Sequence, residues 1–182
     1  MNNISSPQNK SEIQQSLTTA ASNLENYLLE QSLDDFSKSY QGKWSAAEHL
    51  GHLILSAFPV ASALKQDKSI FANFGIAENG SHSFDELYEA YKGRLAVGQK
   101  ADAKRIPSES DIKTREEMIA TIKVIFSKIY ERLKAWEEAE LDQYRVPHPA
   151  LGLITFRELL FFTSFHTSHH LEILKSRDIS IT

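Results

Sequence analysis

Residues 165–174, near the C-terminus, read Phe-His-Thr-Ser-His-His-Leu-Glu-Ile-Leu. Residues 155–162 before them contain no proline or glycine and are apolar all round, which predicts a largely buried helix over about residues 155–175. Residues four apart lie on one face of a helix, so His166 and His170 would direct their imidazoles to one point. This is the spacing of metal ligands, but hydrogen bonds to a hydroxyl or a carbonyl can also satisfy two buried histidines. A third histidine is needed to decide between these interpretations.

The composition favours a single domain, residues 1–182, of which residues 1–10 form a polar lead. The chain has 20 Lys and Arg residues against 24 Asp and Glu residues, a formal net charge of -4. It therefore has no basic field with which to attract phosphates, and nucleic acids and acidic membrane surfaces are unfavourable partners.

Cysteine is absent from the sequence, which excludes disulfides, thiolate metal ligands and a cysteine nucleophile. Histidine and carboxylate side chains would therefore have to hold any metal ion. Residues 1–10 lack the apolar segment of a secretion signal, and no run approaches the roughly 18 apolar residues of a membrane span. We therefore expect a cytoplasmic protein.

Two long helices are predicted in the first part of the chain. Apolar residues recur every three or four positions over residues 11–37, which predicts the first helix. The second should begin near Trp44, because Ser45 and Glu48 have the spacing of a capping box, in which each side chain binds the other residue's backbone N–H. This second helix contains Pro59, which should kink it.

The later part of the chain predicts two more long helices. Thr114 and Glu117 have capping-box spacing at the start of a third helix over about residues 114–139. Thr155 and Glu158 have the same spacing at the start of the last helix. Four long helical patterns without a convincing alternating strand predict an all-α four-helix bundle, with another all-α packing as the alternative.

The connection between the second and third helices is long. It begins with an irregular segment, residues 68–82, whose two phenylalanines indicate that it packs against the bundle. Ser83 can cap a shorter helix that ends at Gly98, and residues 99–111 are again irregular. The predicted bundle therefore has a short extra helix in its second crossover.

The second helix offers the third histidine. His52 lies among apolar neighbours and follows Gly51, which would let another helix or a ligand approach closely. His49 shares part of that face and is the alternative ligand. If this helix lies beside the last one, His52, His166 and His170 could form a three-histidine site with an open position, as in catalytic zinc sites. A hydrogen-bonded core histidine is the alternative for His52, whereas a carboxylate two-metal site is disfavoured because paired Glu-x-x-His units are absent.

Four segments, in their order and spacing, resemble the DinB/YfiT-like metalloenzyme family over nearly the whole chain. Residues 44–53 contain its Trp-Ser-x-x-Glu-x-x-Gly-His-Leu pattern, and residues 83–87 with Tyr91 form the second segment. Residues 141–155 contain Pro-His-Pro-x-Leu-Gly, and residues 162–170 contain the last three histidines.

This resemblance implies an up-down-down-up four-helix bundle, often a homodimer, with a divalent nickel or zinc ion at residues that match His52, His166 and His170. His169 matches a position that is often basic and is not an expected ligand. Several relatives are metal-dependent transferases that act with low-molecular-weight thiols, such as bacillithiol S-transferases and mycothiol-dependent maleylpyruvate isomerase. The expected partners are a small-molecule substrate, with such a thiol as one candidate, and a second copy of the chain, but neither nucleic acid nor membrane.

Two classes of function remain open. The first is a divalent-metal-dependent enzyme, of transferase or hydrolase type, that activates water or a small thiol against an electrophilic small molecule. Glu48 and His148 are its candidate catalytic residues, the former as a general base and the latter in the cavity wall; helix capping and loop positioning are their alternative roles. The second class is a non-catalytic helical dimer that binds a metal or a small molecule.

Overall fold

A computed structural model of the chain describes residues 6–179 and contains a four-helix bundle. In chain order, its elements are α1 (Lys10–Glu30), α2 (Leu33–Ser37), α3 (Ala46–Leu64), α4 (Phe84–Ala96), α5 (Arg115–Leu133), α6 (Glu138–Gln143), β1 (Arg145–His148), β2 (Gly152–Thr155) and α7 (Phe156–Ile179). The long helices α1, α3, α5 and α7 form the bundle, and α4 lies in the second crossover. The predicted all-α bundle with its short extra helix is therefore confirmed. Residues 1–5 of the predicted polar lead lie outside the described residues.

Hydrogen bonds between helix ends define the helix directions. Arg157, at the start of α7, donates to the carbonyl of Gln8, just before α1 (3.1 Å), so α1 and α7 run the same way. Trp136, just past the end of α5, donates its indole N–H to the carbonyl of Leu64 at the end of α3 (3.1 Å), so α3 and α5 are parallel. Arg115, at the start of α5, donates to the main-chain carbonyl of the residue just after the end of α1 (2.6 Å). Since α5 thus runs opposite to α1, the topology is up-down-down-up.

The predicted capping boxes are present at the starts of α3, α5 and α7. Ser45 accepts a hydrogen bond from the backbone N–H of Glu48 (3.2 Å), and the Glu48 carboxylate accepts one from the backbone N–H of Ser45 (2.6 Å). The same reciprocal pair joins Thr114 to Glu117 and Thr155 to Glu158. Each N-cap hydrogen bond of this kind stabilises a helix by about 1 kcal/mol.

The predicted first helix, residues 11–37, is in fact two helices, because α1 ends at Glu30 and α2 begins at Leu33. The side chain of Ser32 accepts a hydrogen bond from the backbone N–H of Asp35 (3.1 Å) and so starts a new helix there. The apolar spacing continues across the break, since Phe36 on α2 is buried, and periodicity alone therefore could not reveal it.

The predicted third helix, residues 114–139, is also too long, because α5 ends at Leu133 and α6 begins at Glu138. Trp136, expected on the apolar stripe of that helix, lies in the connection. It is nonetheless only 1% exposed, since its ring packs on Phe156 with a centroid distance of 4.3 Å. The helical spacing of its neighbours again extended the prediction past the true end.

The hairpin of β1 and β2 was not expected from the sequence. Its strands are antiparallel, with Val146 opposite Ile154 and His148 opposite Gly152. Each strand has only four residues, and Pro147 interrupts the first, so the alternating pattern is too short to stand out. In the segment over residues 68–82, a 3-10 helix, Lys68–Phe74, buries Phe71 against the bundle as predicted, but the other phenylalanine, Phe74, is 39% exposed. None of the helices described over residues 6–179 is long and apolar enough to cross a membrane.

Replacing a buried side chain of α5 should destabilise the bundle far more than replacing an exposed one on the same helix. Ile129 is fully buried, so Ile129→Ala should lower the free energy of unfolding by about 2–5 kcal/mol. Val124 is 51% exposed. Val124→Ala should therefore change that free energy by no more than about 0.5 kcal/mol. Urea unfolding followed by far-ultraviolet circular dichroism measures both. Equal losses would contradict this core, and a spectrum dominated by β-structure would contradict the fold.

Candidate metal centre

Three histidines meet where α3 packs against α7. His52 comes from α3, and His166 and His170 come from successive turns of α7. The Nε2 atom of His166 lies 3.1 Å from Nε2 of His52 and 3.1 Å from Nε2 of His170. All three side chains are buried. The structure thus brings together the three residues that the sequence singled out, with one ligand atom from each within 4.8 Å of the others.

The spacing of these nitrogens suits a divalent transition metal. With metal–nitrogen bonds of about 2.0–2.1 Å, two ligand nitrogens lie about 3.3 Å apart in a tetrahedral site and about 2.9 Å apart at a right angle. The observed 3.1 Å falls between these values. Both contacts of His166 therefore fit an ion, and the ligand atoms of His52 and His170 lie within 4.8 Å of each other.

The protons of the cluster also indicate a cation. Nδ1 of His52 lies 2.8 Å from the carbonyl oxygen of Arg105, which can only accept, so the proton of neutral His52 is on Nδ1 and its Nε2 carries a lone pair. Nε2 of neutral His166 has at most one proton for two neighbours. Only one of the two close contacts can therefore be a full hydrogen bond, whereas a cation that accepts all three lone pairs satisfies both.

Burial keeps the three rings neutral. It lowers the pKa of His52, and together with the neighbouring histidines it lowers the pKa values of His166 and His170 well below their ordinary value. A neutral imidazole is the form that binds a metal. The environment therefore favours the ligand form of all three side chains.

His49 supports the cluster from behind. Its Nδ1 lies 2.7 Å from Nδ1 of His170, so one of the two atoms must donate to the other. If His170 donates, its Nε2 is free to bind an ion, as in the histidine pairs that orient metal ligands. Burial lowers the pKa of His49 to about 4, so this histidine stays neutral too. The structure places His49 behind His170, outside the group that could hold an ion.

His169 and His148 lie near the cluster but outside it. His169 is half-buried, and its ring centroid is 5.6 Å from that of His170. Nδ1 of His148 accepts hydrogen bonds from the backbone N–H groups of Ala150 (3.3 Å) and Leu151 (3.2 Å). The proton of His148 is therefore on Nε2, and burial lowers its pKa to about 4, so the side chain is a neutral donor.

The carboxylate of Glu48 is engaged in helix capping. It accepts hydrogen bonds from the Ser45 backbone (2.6 Å) and from the Ser39 hydroxyl (3.0 Å). Burial alone would raise the pKa of Glu48, but these hydrogen bonds lower it. Glu48 is also not among the residues that line the cavity described next.

A cavity of about 630 Å³ opens over the cluster. The three histidines of the cluster line it together with His49, His148 and His169. Most of its other walls are apolar: Trp44, Val60, Leu95, Ile106, Leu159 and Phe162. This volume lies within the range of about 300–1,000 Å³ that is usual for small-molecule sites.

Tyr91 and Arg105 are among the cavity residues to which the sequence interpretation gave no role. Tyr91 is buried on α4, and burial raises the pKa of its hydroxyl to about 12, so it stays neutral. Arg105 lies in the irregular segment over residues 99–111, where no pattern distinguishes it from its neighbours. Its role depends on contacts with residues of α3 that lie about fifty positions earlier in the sequence.

Comparisons with known proteins match the chain to one family and one fold. The family model described as the DinB superfamily matches residues 16–174. A comparison with curated proteins finds no match.

Three solved structures share the fold. TT2238, a four-helix bundle protein, is 17% identical with a TM-score of 0.57, and the match covers 91% of this chain and 98% of that one. A DinB-like protein from Bacillus cereus is 13% identical with a TM-score of 0.53, covering 93% and 91%. YfiT from Bacillus subtilis, described as a probable metal-dependent hydrolase with an unusual four-helix bundle topology, is 13% identical with a TM-score of 0.56, covering 96% and 97%. Identities this low support the fold and no more.

Removing one cluster histidine should abolish metal binding, whereas removing its neighbour on the same helix should not. We expect His166→Ala to lose Zn²⁺ and Ni²⁺ retention, because two imidazoles cannot hold the ion at this site. His169→Ala is the matched control and should keep most of the wild-type affinity. Elemental content and calorimetric titration of protein purified without an affinity tag measure the effect. Wild-type affinity and stoichiometry in His166→Ala would leave only the hydrogen-bonded core interpretation.

Proposed function

The chain belongs to the DinB superfamily, and on that premise we propose that it is a divalent-metal-dependent enzyme of hydrolase or transferase type. The proposed ligands of the ion are His52, His166 and His170. The observation that carries the proposal is the meeting of three Nε2 atoms at the wall of a cavity large enough for a small molecule.

The number of ligands favours catalysis over a purely structural role. In the part of the chain that the structure describes, the group that could hold an ion consists of three histidines without a fourth His, Cys, Asp or Glu. Structural zinc sites are usually closed by four protein ligands, whereas catalytic sites leave a position for water or substrate. YfiT, which shares this fold, is described as a probable metal-dependent hydrolase, and we propose the same class for this chain. A non-catalytic metal-binding or small-molecule-binding dimer is the second candidate.

An ion bound here would supply Lewis acidity and lower the pKa of a water molecule or a thiol that enters the cavity. The apolar walls would keep bulk water away from the reacting groups. His148 can donate a hydrogen bond from Nε2, and neutral Tyr91 can donate one from its hydroxyl. These two donors can orient an electrophilic group such as a carbonyl.

The cavity supports a substrate with a sizeable apolar part. The exposed surface of its lining is mostly carbon, although polar side chains such as Ser56, Gln99 and Lys100 also reach it. Water would be the second reactant of a hydrolase, and a low-molecular-weight thiol that of a transferase. Imidazole suits zinc and nickel alike, so both are proposed as the resident ion.

Homodimer formation is proposed from family membership. Phe58 on α3 is 59% exposed and lies on one groove with Val124 on α5, so an apolar surface is available for a second copy. Light scattering that gives a mass of 20.6 kDa at all micromolar concentrations would contradict the dimer. The cytoplasmic location stays a prediction from the sequence.

Metal-loaded protein should turn over a substrate that the metal-free protein and His166→Ala do not. The assay pairs one panel of esters and amides, for hydrolysis, with one panel of electrophiles and small thiols, for transfer. Turnover restored by Zn²⁺ or Ni²⁺ would support the enzyme. Ligand binding without turnover in any metal-loaded form would instead support the binding protein.

His148→Ala is expected to lower kcat/KM about tenfold or more in that assay, because it removes a hydrogen-bond donor from the cavity wall. Metal affinity should not change, since His148 is not among the ligands. Loss of metal in this variant would show that His148 acts on the cluster and not on the substrate.

A further inference from the structure

We propose that Arg105 is the positioning residue for His52, and that Pro59 creates the place on α3 where Arg105 binds. This inference rests on the proposed metal site, because His52 is one of its three ligands. It concerns how the chain prepares that ligand before an ion arrives.

Pro59 leaves a gap in the hydrogen bonds of α3. Proline has no backbone N–H, so the carbonyl four residues earlier, that of Leu55, loses its helical partner. A buried or half-buried carbonyl needs another donor. Nη1 of Arg105 supplies one at 2.8 Å. The guanidinium therefore binds the carbonyl that Pro59 leaves without a helical donor.

Arg105 contacts the same helix a second time through its backbone. Its carbonyl oxygen lies 2.8 Å from Nδ1 of His52. His52 precedes Leu55 by three residues and therefore lies on the same side of α3. The side chain of Arg105 thus holds its own main chain against the imidazole. This contact sets the tautomer of His52 and turns its Nε2 toward His166, 3.1 Å away.

The segment that carries Arg105 is shaped for this contact. The side chain of Asp102 accepts a hydrogen bond from the backbone N–H of Lys104 (2.8 Å) and starts the 3-10 turn Ala103–Arg105. A Cβ atom on Gly51 would come within 3.0 Å of Cβ of Pro107, so the segment lies directly on α3 beside His52. Gly51, noted in the sequence for permitting close approach, permits the approach of this segment.

The alternative is that Arg105 binds an anionic group of the substrate from the cavity wall. Its Nη1 already donates to a backbone carbonyl, and its main chain is held by His52. These two contacts join Arg105 to α3, although the residue also lines the cavity and has other guanidinium N–H groups. The positioning role accounts for both observed hydrogen bonds of the residue, whereas the substrate role accounts for neither.

The test measures Zn²⁺ affinity of the full-length protein by calorimetric titration. Arg105→Ala should bind Zn²⁺ about 10–100-fold more weakly than wild type, the usual cost of losing a partner of a metal-ligating histidine. Arg105→Lys should recover much of this loss, because an ammonium group can also donate to the Leu55 carbonyl. Lys104→Ala is the matched control, since it removes a neighbouring exposed cation and should leave the affinity unchanged.

Pro59→Ala separates positioning from general stability. Alanine restores the N–H that binds the Leu55 carbonyl, so the metal-free variant should be at least as stable as wild type toward urea. Its Zn²⁺ affinity should nonetheless fall, because the restored helical hydrogen bond draws the Leu55 carbonyl back along the helix axis and away from Arg105. The double variant with Arg105→Ala should lose no more than the larger single effect, since both act through one contact.

A spectroscopic measurement on metal-free protein completes the test. The imidazole nitrogen signals of His52 should show a single tautomer, with the proton on Nδ1, in wild type, and a mixture in Arg105→Ala. Wild-type Zn²⁺ affinity and an unchanged tautomer in Arg105→Ala would overturn the inference while leaving the metal site intact. Failure of wild type itself to bind Zn²⁺ would overturn the proposed function, and the tautomer signals would then still show whether Arg105 orients His52.

Discussion

Buried imidazole nitrogens that face each other repel through their lone pairs unless a proton or a cation lies between them. At the centre of this bundle, Nε2 of His166 lies within hydrogen-bonding distance of Nε2 of His52 and of His170. A carbonyl oxygen fixes the tautomer of His52, so only one of the two contacts of His166 can be a full hydrogen bond. Burial prevents the rings from gaining charge instead. The packing of α3 against α7 therefore maintains an arrangement that protons satisfy only in part and that a cation would satisfy fully.

This arrangement requires that α7 start at a fixed residue, because His166 and His170 lie about three and four turns from its first residue. The capping box of Thr155 and Glu158 defines that start. Arg157 adds hydrogen bonds to Asp142 (2.6 Å), beside the start of the hairpin. A shift of one residue at this end would rotate the histidines by about 100° on the helix, away from α3. The polar contacts at one end of the bundle thus set the geometry of the cluster near its middle.

The features that the sequence predicted correctly are local ones. Capping boxes depend on residues three apart, and the pairing of His166 with His170 depends on residues four apart, so both can be identified in a single chain. The breaks after α1 and α5 could not, because tertiary burial of Phe36 and Trp136 imitates a continuing helical stripe. The position of Arg105 could not either, since it depends on a segment that returns to α3 from about fifty residues away in sequence. Only Pro59 gave an indirect sign, by marking a carbonyl that needed a donor.

The extent of the apolar core bears on what an ion would do here. In small zinc domains the metal supplies the free energy of folding, because the chain cannot bury enough apolar surface. This bundle has a continuous core that includes Leu17 on α1, Leu50 on α3, Ile129 on α5 and Leu160 on α7. A core of this extent can pack the four helices by burial of apolar surface, so an ion bound at the cluster would not have to supply the free energy of folding. Three candidate ligands on the wall of a cavity, beside a core of this size, support the proposal of chemistry on a bound molecule more than that of structural support.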